Sequence, residues 1–146
     1  FARNQLALVT PAKEGEKVHS LKDLARAGLT VGLCEPEVPC GAAATKALAQ
    51  AGVKASVDTY EQDVRSLLTK VELGEVDAAL VYRTDALAAG DSVRAIALPA
   101  RAQVTNDYLI TVVRGAEDSP AAQGFVTLVQ SAFGRTALRK AGFTLP

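Results

Sequence analysis

The segment Cys34-Glu35-Pro36-Glu37-Val38-Pro39-Cys40-Gly41 holds the residue types in this chain best placed to do chemistry. It lies between the apolar run Leu29-Thr30-Val31-Gly32-Leu33 and a helical pattern through Thr45–Leu48, so it reads as strand, turn, helix. Pro36 and Pro39 hold the turn irregular ahead of the helix. Gly41 and the alanines at 42, 43 and 44 keep the first helical turn bare, so backbone N–H groups there can come close to a ligand. A helix N-terminus presents unpaired donors and roughly half a positive charge. The chemistry this suits is the capture of a small anion. An ordinary strand-to-helix turn is the competing reading of the segment taken alone.

A second segment repeats the arrangement. Asp63-Val64-Arg65 opens a helical pattern whose apolar face is Leu67, Leu68 and Val71. Asp63 serves equally well as a plain N-cap. Gly74 ends that helix. Ala78–Val81 is a short apolar run suited to burial on both faces of a parallel sheet. Tyr82 stands at its carboxyl end. Open α/β sheets bind ligands outside the carboxyl ends of their strands. There Tyr82 would face the same crevice as the two helix starts, although a strand-end tyrosine also serves as core packing.

The elements that must position these residues follow from periodicity. Strands are expected near 5–10, 30–33, 55–58, 78–82, 95–98 and 107–113, with helices near 21–27, 42–51, 61–73 and 120–141. Alternation of strand and helix through the first hundred or so residues predicts an α/β fold with a doubly wound, mostly parallel sheet. A C-terminal strand and helix follow it. Ser20 with Asp23 has capping-box spacing, and Pro120 suits the first turn of the last helix. The chain divides into residues 1–103 and 104–146, with the boundary near 99–106. The last helix carries an apolar stripe of Phe125, Leu128, Val129, Phe133 and Leu138.

Composition narrows the function classes. Sixteen basic and sixteen acidic residues cancel, which argues against non-specific nucleic-acid binding. Zero net charge leaves dianion binding open, because local N–H dipoles do that work. At 146 residues the chain can bury a real core, and no run of about eighteen apolar residues marks a membrane helix. It carries no GxGxxG after its first strand, no P-loop and no GxSxG, so no enzymatic signature or cofactor site is expected. Glu35, Glu37 and Asp85 are explained by solvation or capping, with the two glutamates pointing away from any bound anion. Arg65 is expected to pair on the helix surface with Asp63 or Glu61. With one histidine and no CxxC, a zinc site or catalytic thiol is not expected. Five residues separate Cys34 from Cys40. Spacing leaves two readings open, a disulfide closing a very small loop or two small, half-buried thiols.

Taken together, Val38-Pro39-Cys40-Gly41, Asp63-Val64-Arg65 and Val81-Tyr82-Arg83-Thr84-Asp85-Ala86 resemble the molybdate-binding proteins of bacterial ABC transporters. Phe1–Val9 looks like that family's strand crossing between lobes, Ser20–Leu24 like its following short helix, and Lys140–Phe143 like its closing motif. The resemblance covers essentially the whole chain in the family's order. It implies one lobe of a type II periplasmic-binding-protein-like fold. The oxyanion, molybdate or tungstate, would be held by the backbone amides of Cys40 and Val64 and by the Tyr82 hydroxyl, with Gly41 and Pro39 shaping the turn. The family also uses two serines from an N-terminal lobe. This chain has no matching segment, so it is expected to be the second lobe, with residues 104–146 returning to the first. The implied partner is an ABC permease and the implied location extracytoplasmic. Without that lobe, the stripe through Phe125 and Phe133 is expected to fold back on the same lobe or to drive self-association. The alternatives are an effector-binding domain of a transcription regulator with the same fold, or a binder of another small anion.

Overall fold

The computed structural model describes residues 1–13 and 17–146. Its strands are β1 (Ala2–Pro11), β2 (Val31–Cys34), β3 (Thr59–Glu61), β4 (Ala78–Tyr82), β5 (Val93–Ala97) and β6 (Thr105–Tyr108). Its α-helices are α1 (Pro39–Ala51), α2 (Val64–Glu72), α3 (Arg83–Ala89), α4 (Ser119–Gln130) and α5 (Ala132–Lys140). The chain falls into two compact units, Gln5–Thr105 and Phe1–Asn4 with Asn106–Pro146.

In the larger unit the strand order is β3-β2-β4-β1-β5. β2 runs parallel to both β3 and β4, while β1 runs antiparallel to β4 and β5. Four strands therefore share one direction and β1 opposes them. That gives the mostly parallel α/β sheet expected of the sequence. Period-2 alternation sorts the side chains. Leu6, Leu8, Val31, Leu33, Ala78 and Leu80 pack on one face against Ala43, Ala44, Ala47 and Leu48 of α1. Ala7, Val9, Cys34, Ala79 and Val81 pack on the other against Leu67 and Val71 of α2. Because both faces are covered, β4 reads as an unbroken apolar run. The amino edge of β2 is held by carboxylates. Asp58 accepts the Val31 amide and Asp77 the Thr30 amide, each at 2.8 Å.

Several boundaries differ from expectation. The third strand is 59–61 rather than 55–58, because Asp58 spends its side chain on Val31 and residues 55 and 57 reach the core from irregular backbone. The first helix is a short 3-10 turn, Leu21–Ala25, in which Asp23 accepts the amides of His19 and Ser20. α1 begins at Pro39 instead of 42, since proline is tolerated in a first turn. α3 follows β4 with no intervening turn and was not expected at all.

The smaller unit is held by its own bonds. The Phe1 ammonium donates to the Tyr108 carbonyl at 2.9 Å, and Arg3 pairs with Asp107 at 2.8 Å. The Arg3 and Thr144 backbones exchange two hydrogen bonds, and the Tyr108 and Phe143 rings meet edge to face at 5.4 Å. β6 stops at Tyr108, short of the expected 113. The expected single helix over 120–141 is two, broken at Ser131, whose extended backbone (φ −68°, ψ 170°) recaps the chain on the Gly134 amide. Neither helix has a buried residue, and Phe125 and Phe133 stay 60% and 74% exposed.

Candidate functional site

Parallel strands put like ends together. The carboxyl ends of β3, β2 and β4 are neighbours in the sheet, so the chain leaves all three at one edge. From β3 it enters α2, from β2 it enters α1, and from β4 it enters α3. Cys40, Val64 and Tyr82, expected from sequence to share a crevice, therefore lie along one sheet edge.

Cys40 is the second residue of α1 and is buried. Among the described residues its amide and that of Gly41 reach no acceptor. The first bonded amide of the helix is Ala42, which donates to Val38 at 2.9 Å. Pro39 is the first residue and contributes no N–H. Gly41 is required by packing. A Cβ there would run into the carbonyl oxygens of Glu35 and Cys34. Cys34 and Cys40 are joined by a disulfide, with Cα atoms 5.8 Å apart, and both belong to the core on the α2 face.

Val64 is the first residue of α2. Its amide too reaches no acceptor among the described residues. Asp63 is the N-cap, accepting the Ser66 amide at 2.8 Å and the Ser66 hydroxyl at 2.9 Å. The bond from the Ser66 amide, chiefly, holds the Asp63 carboxyl below its ordinary value. Glu61 is paired with Lys70, not Arg65, and that pairing lowers its pKa in turn. Lys70 lies two turns along α2 from Asp63, and its long side chain reaches Glu61 and Thr59 of β3.

Tyr82 ends β4 and is the N-cap of α3, its ring half-buried between the two core clusters. Asp85, at the third position of α3, reaches back to the Tyr82 amide. Burial raises the Asp85 carboxyl above its ordinary value, offset in part by the amides of Tyr82 and Asp85, and one carboxylate oxygen is left without a partner. At this corner the Asp85 carboxylate thus takes up the amides of Tyr82 and of Asp85 itself. The spacing Tyr82-x-x-Asp85 is that of a capping box with an unusual cap residue. That was the available signal for Asp85. Glu37 is exposed, as expected, while Glu35 is half-buried, its amide donating to the Glu61 carbonyl at 2.8 Å. No cluster of three metal-ligating side chains occurs among the described residues.

An α/β sheet with bare helix starts at its carboxyl edge defines a lobe of the periplasmic-binding-protein kind. The chain belongs to the bacterial extracellular solute-binding protein family, which it matches over residues 1–144. It is 37% identical to the molybdate-binding protein ModA of Mycobacterium tuberculosis over 146 residues, all of this chain and 56% of that protein. It is 31% identical to the putative ABC transporter substrate-binding lipoprotein YvgL of Bacillus subtilis, over 97% of this chain and 55% of that protein. The chain thus spans about half the length of these relatives. Among solved structures, the substrate-binding domain of a putative molybdenum ABC transporter from Clostridium difficile superposes with a TM-score of 0.80. That match is at 22% identity and covers 99% of this chain and 65% of the other.

Proposed function

We propose that this chain supplies one wall of a site for a tetrahedral oxyanion, molybdate or tungstate, in a solute-binding protein that serves an ABC permease. The observation that carries the reading is the common edge. Unbonded amides at Cys40 and Val64 head two helices on neighbouring parallel strands, with Tyr82 on the third. Amide donors neutralise a dianion without a cationic side chain and fix its position by several short bonds at once. Selectivity over sulfate then comes from size, since a smaller anion cannot reach every donor together. The second wall closes over the anion by a hinge. No cofactor is needed. The disulfide supports an oxidising, extracytoplasmic location, and no described helix is long and apolar enough to cross a membrane.

Calorimetric titration of the full-length gene product with molybdate, tungstate and sulfate tests this. Tight binding of the first two and little heat from sulfate is the expected result. No binding of any of them would leave the fold standing and move a different anion, or an effector role in regulation, to the front.

A further inference from the structure

The bond between Cys34 and Cys40 ties the last residue of β2 to the second residue of α1. Both residues are buried, 1% and 4% exposed. The turn between them is held twice more, by the Glu35 amide on the Glu61 carbonyl and by the Val38 amide on the Glu35 carbonyl at 3.1 Å. α1 and α2 differ at their starts. Asp63 caps α2 through Ser66, whereas Val38 offers α1 no side-chain cap. A helix lacking an N-cap bond has a loosely held first turn. Yet the first turn of α1 carries the open amides of Cys40 and Gly41.

We infer that the disulfide takes the place of the missing cap and fixes the first turn of α1 in its anion-binding geometry before ligand arrives. Cys34 and Cys40 are then positioning residues. Their sulfur atoms touch no anion, and the donor at Cys40 is the backbone. Ordering a turn in advance removes that cost from binding, and a crosslink over so short a span leaves the turn few other conformations. This inference rests on the oxyanion reading above.

The test compares the full-length gene product with its Cys34→Ala/Cys40→Ala variant, which keeps every backbone amide. Molybdate affinity is measured by calorimetry well below Tm. Amide exchange is measured at Glu35, Val38 and Ala42, the bonded amides of the bridged segment. The expected result is about tenfold weaker binding together with faster exchange at those three amides in the ligand-free protein. A role confined to stability lowers Tm and leaves both readouts unchanged, which overturns the inference. If the variant does not fold, the same exchange is read on wild-type protein after phosphine reduction, with a thiol count confirming two free groups. Unchanged protection there overturns it equally. If wild-type protein binds no oxyanion, the function reading fails by itself, and exchange alone decides whether the bridge orders the turn.

Discussion

Tyr82 packs through its ring, and the oxyanion reading assigns binding to its hydroxyl, so the two can be separated. The ring touches both core clusters, and phenylalanine would keep that contact. Tyr82→Phe in the full-length protein should weaken molybdate binding by about 1.5 kcal/mol, roughly tenfold, as one hydrogen bond to a charged group. Stability should change little, and calorimetry beside a denaturation curve reads both. Equal affinity would take the hydroxyl out of the site. Its neighbour Asp85 poses the opposite case. Burial raises its pKa in the folded protein, so folding disfavours the charged form. The cost is absent at low pH, where the group is protonated in both states. It grows as pH rises above the unfolded value of about 4 and is full above the folded pKa. Asp85→Asn should therefore match wild type in acid and be the more stable protein at neutral pH. Urea denaturation across that range measures the gap. A gap that narrows with rising pH would contradict the assignment.

At the scale of elements, the turn into α1 depends on a missing side chain. The Glu35 carbonyl cannot swing away from a new Cβ at Gly41. Its residue is bonded to Glu61 on one side and adjoins the bridged Cys34 on the other. The first turn of α1 must move instead. Gly41→Ala should cost about 2 kcal/mol of stability, within the usual range for overpacking, and should weaken anion binding as well. Gly124, inside α4, has open space around its Cβ position. Gly124→Ala is the control and should stabilise by roughly 0.5–1 kcal/mol through helix propensity. The same elements mark how far the sequence could be read. β2, β4 and the helices after β2 and β3 were legible because apolar period and turn residues agree there. The placing of Cys40, Val64 and Tyr82 on one edge followed from parallel strand order alone. α3 was hidden because Tyr82-Arg83-Thr84-Asp85 passes from strand to helix with no glycine or proline to mark the change. The break at Ser131 was hidden because the apolar period runs through it. Its signature is local: the Ser131 hydroxyl caps Gly134, where a Cβ would strike the Leu128 and Val129 carbonyls. The charge state of Asp85 depends on burial, which no spacing rule reports.

At the scale of the molecule, the unsettled surface is the apolar one on the smaller unit. Leu109 and Val113 are 90% and 73% exposed, and Phe125, Leu128 and Phe133 are half exposed or more. Isolated apolar residues on a surface are ordinary, but five on one small unit give a second copy of the chain apolar area to bury. None of the five belongs to either core cluster of the larger unit, so changing them leaves both clusters intact. The 146-residue chain by itself should associate in a concentration-dependent way in sedimentation velocity. Phe125→Ser combined with Phe133→Ser should return it to a monomer with its far-UV circular dichroism unchanged. In the full-length gene product, where a partner lobe would cover this surface, the same wild-type residues should give no association. A wild-type chain that stays monomeric at every concentration would mean that these side chains do not form a contact surface. Association that survives both serine substitutions would place the contact elsewhere on the chain.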